Sequence, residues 1–198
     1  MRGAHEDSVP SRIIESMEEG TCFTTADWKM KFMAFQFREM QTEFFGKRGI
    51  PWHGMMIAYK EGNDLRIEFQ DCIVRDSKED AQSAFQQMAV GWKAFLIRHP
   101  EQNKTHVRTD GASCYSGVHF CKLLAFCKDL CGMAVLSHLI GEGGKNKTTL
   151  DGHFGTRGTM LRREVIKGVG KTDAVTQPPR PWRACSRTTA AGAPTRSW

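Results

Sequence analysis

Three aspartates stand at positions where an acid is costly or well placed for chemistry. Asp27 lies inside Cys22–Phe32, a run of Thr, Phe, Trp and Met that reads as a β-strand, where aspartate is depleted. Asp110 follows the short apolar-polar alternation Thr105–Thr109 and immediately precedes Gly111. Asp151 falls in Thr148-Thr-Leu-Asp-Gly-His-Phe-Gly155, the first turn of a helix expected over Thr148–Val165. Gathered carboxylates suit a hard divalent cation, which takes oxygen ligands and keeps several waters. Two such ions ~4 Å apart activate an attacking oxygen and stabilise a leaving oxygen in phosphodiester cleavage. Without the cation the acids repel one another, so its charge belongs to the electrostatics of the site. Each aspartate also has a plain structural reading. Asp-Gly after a strand is a common turn, and an acid in the first turn of a helix complements the dipole. Glu142 competes with Asp151 as third acid from the preceding turn.

The intervening residues must carry these acids to one place. Trp52–Tyr59 and Leu65–Val74 read as two more strands joined by the turn Glu61-Gly-Asn-Asp64, and Gly46–Pro51 as a turn. Gln36–Phe45 is polar and aromatic without clear period. Ala81, Ala84, Phe85, Met88, Trp92, Phe95 and Leu96 recur at helical spacing, with Ser77 as candidate N-cap and His99-Pro100 as the stop. After Thr105–Thr109 come a helix over Val118–Leu130, a strand over Met133–Ile140 and the final helix. Three sequential strands followed by alternating helices and strands predict an α/β fold of the ribonuclease-H-like type: a three-strand antiparallel meander plus parallel strands with flanking helices. Right-handed crossovers then bring the first and fourth strands side by side, with a ligand site at their carboxyl ends.

The motifs also resemble a known family. Asp27-Trp-Lys-Met-Lys-Phe32, Arg38-Glu-Met-Gln-Thr-Glu43, Gly46-Lys-Arg-Gly49 and Trp52-His-Gly54 resemble the start of a eukaryotic transposase catalytic core. Thr109-Asp-Gly-Ala-Ser-Cys-Tyr115 resembles the segment around its second aspartate, and Glu142–Gly155 the Gly-Lys turn and third acid. Over residues 22 to 166 the chain resembles DDE/D transposases of the Kyakuja-Dileera-Zisupton group, with Mutator-like elements as nearest relatives. The resemblance implies Mg²⁺- or Mn²⁺-dependent DNA strand cleavage and transfer, with Asp27, Asp110 and Asp151 as metal-binding catalytic acids. The implied partners are DNA (transposon ends and target) and a possible second copy of the chain, with no small-molecule cofactor. A nuclear location follows from that substrate alone. Lys145, Lys147, Arg162, Arg163 and Lys167 are candidates for contact with DNA phosphates, or form a solvated basic face. His53 and His153 are expected as polar surface histidines, and Trp52 and Trp92 as core aromatics.

Family members carry an N-terminal DNA-binding region and long flanks that these 198 residues lack. The catalytic core is therefore expected as a truncated copy, and the alternative expectation is an inactive or domesticated remnant that binds DNA or protein. Gly141–Thr148 approaches a phosphate-binding loop, but Asn146 stands where that loop needs glycine.

Composition sets outer bounds. At 40% hydrophobic and 25% charged residues the chain reads as globular, and no run approaches the ~20 apolar residues that span a bilayer. The net charge of +6 is concentrated at the end. Residues 167 to 198 hold six basic residues against Asp173, a net of +5, which leaves about +1 for the rest. The expected organisation is a lead-in over residues 1–20 with a short helix near Arg12–Glu19, a core over 21–170, and a basic Pro/Ala/Thr/Arg tail over 171–198 without periodicity. The seven cysteines include no Cys-x-x-Cys pair. Reduced, mostly buried thiols are expected in place of a zinc module.

Overall fold

The computed structural model describes residues 8–32, 49–73, 78–141 and 148–167. The expectations for Gln36–Phe45, Ser77, Glu142, Lys145, Lys147 and the tail lie outside the described residues.

Helix α1 (Ser8–Glu15) leads into strands β1 (Thr21–Phe32), β2 (Ile50–Glu61) and β3 (Asp64–Ile73). Helix α2 (Ala81–Arg98) and strand β4 (Lys104–Thr109) follow. Three short helices come next: α3 (Ser113–Ser116), α4 (Val118–Ala125) and α5 (Cys127–Cys131). Strand β5 (Ala134–Ile140) and helix α6 (Thr149–Lys167) complete the described fold. Among these residues the sheet has the order β3-β2-β1-β4-β5. The β1–β2 and β2–β3 pairs are antiparallel, and the β1–β4 and β4–β5 pairs parallel. This is the ribonuclease-H-like mixed sheet: the meander on one side, the parallel strands on the other, and β1 at the seam.

Alternation along β1 divides its residues between two packed layers. Cys22 and Ala26 join Met55, Ile57 and Tyr59 of β2 and Val107 of β4 beneath α2 to α5. Phe85, Met88, Trp92 and Phe95 supply the apolar stripe of α2. On the opposite face, Phe23 and Ala58 bury Met17 just beyond α1, while Trp52 and Met56 receive Leu150 and Phe154 of α6. Trp52 and Trp92 are both core residues, 1% and 0% exposed. Buried polar atoms within the sheet pair with one another. Trp92 Nε1 donates to Thr24 Oγ1 at 3.1 Å, and Thr24 Oγ1 lies 2.8 Å from Thr105 Oγ1.

Several boundaries differ from the sequence pattern. The N-terminal helix lies at Ser8–Glu15, earlier than Arg12–Glu19, because Ile13, Ile14 and Met17 pack on the sheet. Helix α2 is capped by Asp80, whose carboxylate accepts from the Ser83 N–H at 2.8 Å. A carboxylate at that position satisfies an orphan amide and complements the dipole. Ile50 and Pro51 belong to β2, not to the turn before it. Proline is tolerated there because the β1–β2 register shifts between Lys29 and Phe32, where one ladder bond is already missing. The helix expected over Val118–Leu130 breaks at Phe126 (φ −94°, ψ 8°). The break leaves Phe126 61% exposed and turns Cys127 and Cys131 into the core.

Candidate metal centre

Strand register brings the first two aspartates together. In the parallel β1–β4 pair, Ala26 lies opposite Thr109, so Asp27 and Asp110 occupy the next position on adjoining chains. Neighbouring strands run ~4.8 Å apart, and residues at one register level share a face. In the antiparallel direction Asp27 faces Gly54, and Gly54 faces Asp71. One row across the sheet thus reads Asp71, Gly54, Asp27, with Asp110 directly after β4. Asp110 is held by its own turn, with Oδ1 accepting from the Ala112 N–H at 3.1 Å.

Helix α6 lies over the gap in this row. A Cβ on Gly54 would overlap the Phe154 ring and reach within 3.2 Å of Leu150 Cδ1; glycine is what lets the helix approach. Leu150 and Phe154 are 0% and 5% exposed. Asp151 follows Leu150 on the flank of the helix and is exposed. Its Oδ2 accepts from the Thr148 N–H at 2.6 Å and from Thr148 Oγ1 at 3.1 Å, the helix-terminus role that its position allows.

The three carboxylates act on one another electrostatically. Asp27 is pushed up from 3.8 to about 7, chiefly by burial, then by the negative charges of Asp110 and Asp151; its bond with the Trp28 N–H opposes the rise. The larger part of that rise is the cost of burying the charge, and the smaller part is repulsion from the two neighbouring acids. Among the described residues, however, no three His, Cys, Asp or Glu side chains are gathered tightly enough to hold a metal ion. Asp27 and Asp110 supply hard oxygen donors at adjoining positions, whereas the Asp151 carboxylate is turned to Thr148. The donor chemistry of Asp27 and Asp110 fits Mg²⁺ or Mn²⁺, and the Asp151 carboxylate points to Thr148 instead.

Several neighbours of the site were not legible as such. His53, expected at the surface, is 1% exposed. Its ring lies 4.9 Å from Trp28 and 6.3 Å from Tyr115, and burial drives its pKa down to about 3. Its place in the middle of β2, opposite Trp28, put it on the core face. On the same side, burial raises the Cys114 thiol to about 11, and the charges of Asp110 and Asp27 add to that rise. His153 is no free surface histidine either. Its ring stacks on Phe69 at 4.2 Å with 2° between planes, and its Nε2 donates to Asp71 Oδ2 at 2.7 Å. Lys29 Nζ donates to the Phe154 carbonyl at 2.8 Å and sits 4.1 Å from the Trp52 ring centre. Arg162 and Arg163 are exposed on α6, and Lys167 ends that helix.

No protein-family model matches the chain, and no curated protein matches it. Among solved structures it is similar to Thermus thermophilus RuvC, at 11% identity over 81% of this chain and 85% of that chain, with a TM-score of 0.32. The fold assignment rests on strand order, direction and register, which stand without that likeness. No described helix is long and apolar enough to cross a membrane.

Proposed function

We propose that this chain is the catalytic core of a metal-dependent DNA strand-cleaving and strand-transfer enzyme of the DDE/D transposase type. The observation that supports it best is the placement of Asp27 and Asp110, each one residue past the paired Ala26 and Thr109 of parallel β1 and β4, with burial first and then the charges of Asp110 and Asp151 raising Asp27. Asp27 and Asp110 are the proposed primary ligands and Asp151 the third acid. Bound Mg²⁺ or Mn²⁺ supplies activation of the attacking oxygen and charge stabilisation on the leaving oxygen. The chain's own contribution is positional. β1 carries Asp27, the turn after β4 holds the Asp110 side chain toward Ala112, and α6, seated over Gly54 by Leu150 and Phe154, carries the third acid on its flank. Exposed Arg162 and Arg163 lie farther along α6, where they meet DNA phosphates, and Lys167 is proposed for the same role. Transposon ends as the substrate, assembly with a second copy and a nuclear site of action belong to this reading.

A second reading is favoured by one observation. The Asp151 carboxylate is engaged with Thr148, and no closed cluster of metal donors forms among the described residues. A remnant that keeps the fold and binds DNA or protein without cutting accounts for that geometry. Nicking of supercoiled plasmid in Mg²⁺ or Mn²⁺ separates the two. The catalytic reading expects cleavage that Asp27→Asn and Asp110→Asn abolish and that chelation stops. Metal-independent DNA binding of equal strength in wild type and both variants, with no nicking, selects the remnant.

A further inference from the structure

Away from the carboxylates, two thiols meet inside the core. Cys127 and Cys131 open and close the one-turn helix α5, and a spacing of four residues sets them on one helix face. They are 0% and 6% exposed. A buried thiol ordinarily behaves as a small apolar side chain, but here the sulfurs turn to each other. Cys127 Sγ and Cys131 Sγ lie 3.2 Å apart, whereas non-bonded carbon atoms, which are smaller than sulfur, settle at ~3.5–4.0 Å. The Cys131 thiol donates to the Cys127 carbonyl at 3.2 Å, which leaves the Cys127 thiol to donate to Cys131 Sγ.

The surroundings make the two sulfurs unequal. The bond from Cys127 holds the Cys131 thiol below its ordinary range; the Met133 N–H and the Lys93 ammonium add to that effect, and burial opposes it. The same bond, together with burial, drives Cys127 up. Cys131 is therefore the sulfur that ionises, and the thiolate is the reactive form of cysteine. Its small exposure admits an oxidant of about water's size and keeps out a bulky disulfide. Backbone geometry lets the ring close. Four residues along an α-helix separate Cα atoms by ~6.2 Å, inside the ~4.4–6.8 Å that a disulfide bridges. The Cβ atoms, ~5–6 Å apart at this spacing, must come to ~3.5–4.5 Å. A single turn that ends at Gly132, left-handed at φ 85°, has few internal hydrogen bonds to lose in that adjustment.

We infer that Cys127 and Cys131 form a reversible disulfide site that takes hydrogen peroxide as oxidant, with Cys131 as the attacking sulfur and Cys127 as the resolving one. In the first step the Cys131 sulfur bonds to one peroxide oxygen and the O–O bond breaks. The other oxygen leaves as hydroxide and recovers the proton that Cys131 gave up, so the peroxide is reduced to water and Cys131 is oxidised to a sulfenic acid. In the second step the Cys127 sulfur bonds to the Cys131 sulfur and the S–O bond breaks. Hydroxide leaves with the Cys127 proton as a second water. A dithiol reductant restores both thiols by exchange and is itself oxidised to a disulfide. The site is independent of the metal-centre reading.

The test treats the reduced full chain with hydrogen peroxide, alkylates the remaining thiols after denaturation and maps tryptic peptides. Cleavage after Lys122, Lys128 and Lys145 puts Cys127 in Leu123–Lys128 and Cys131 in Asp129–Lys145. The expected product is these two peptides joined. Both alkylation sites should be lost together, before any loss at the buried Cys22 and Cys114, and dithiothreitol should restore both. Cys127→Ser is expected to leave a sulfenic acid on Cys131 that dimedone captures, and Cys131→Ser to leave Cys127 unlabelled. If neither variant folds, the wild-type crosslink decides alone. Oxidation confined to the exposed Cys121, with Cys127 and Cys131 both alkylated after denaturation, overturns the inference and makes the pair two inert core thiols. A crosslink from Cys121 to either sulfur, or one that forms only in material whose circular dichroism shows unfolding, overturns it as well. Dimedone on Cys127 in the Cys131→Ser chain, with Cys131 unlabelled in Cys127→Ser, overturns the assigned roles.

Discussion

Replacing Asp27 with Asn keeps the shape of the side chain and an oxygen for the Trp28 N–H while removing the charge. In the folded chain this carboxyl ionises at about 7 against an ordinary 3.8. Between these values the folded state retains a proton that the unfolded state has released, so Asp27 favours folding fully at low pH and loses that contribution as pH rises toward 7. At ~1.4 kcal/mol per pH unit the full difference is about 4 kcal/mol. The side chain is only part-buried, and solvent screening reduces this to about 2 kcal/mol. His53 works in the opposite sense. Burial lowers it from 6.5 to about 3, so the folded state excludes a proton that the unfolded state takes up, and stability falls as pH drops through that window. The two slopes oppose one another in the wild type between about pH 4 and 6.5. Only the difference between wild type and Asp27→Asn isolates the aspartate.

The expected result in metal-free denaturant unfolding is equal stability of the two proteins near pH 4. At pH 8 the variant should be more stable by about 2 kcal/mol, or roughly 4–8 °C in melting temperature for a chain of this size. Adding Mg²⁺ at pH 8 to ten times its dissociation constant should return about 1.4 kcal/mol to the wild type and nothing to the variant. A variant less stable than wild type by the same amount at both pH values would refute the reasoning. Asp27 would then be an ordinary hydrogen-bonded strand residue free of the charges of Asp110 and Asp151.

Two more expectations follow from the packing. Gly54→Ala puts a methyl group into the ring of Phe154, and overpacking of this kind costs about 1–3 kcal/mol; hydrogen exchange should show α6 lifted from the sheet while α2 and β4 keep their protection. Unchanged protection across α6 would mean that the helix does not depend on the glycine. Among the described cysteines Cys121 is exposed, while Cys22, Cys114, Cys127 and Cys131 are buried, so iodoacetamide should label Cys121 before those four in the native protein. Early labelling of Cys22, whose thiol burial raises to about 11, would contradict the packing of β1.

What the sequence made legible is local. The order of strands and helices, the stop at His99-Pro100, the core placement of Trp52 and Trp92 and the strand around Asp27 could all be read from period and punctuation. These signals act over a few residues. Relations across the sheet were hidden. His53 reads as polar by type, yet the antiparallel register sets it opposite Trp28 and seals it in the core. The Asp80 cap was hidden because several oxygen acceptors precede α2 in the sequence, and the choice is made where the apolar stripe of α2 meets the sheet.

Asp71 shows why the contacts around Gly54 lay beyond reach. Within β3 it is one acid among Asp64, Glu68 and Asp71 on an edge strand, where charge ordinarily serves to keep the edge unpaired. Nothing in its own neighbourhood marks it. Its significance comes from three separate long-range choices: a register that sets it level with Gly54 and Asp27, a missing side chain at Gly54 that admits α6, and a two-residue offset in α6 that turns His153 toward it and Asp151 away. An acid legible in the sequence is one that breaks a local rule, as Asp27 does in the middle of a strand. Asp71 breaks no local rule, and its partners on β2 and α6 become visible only when the sheet and the helix that crosses it are seen together.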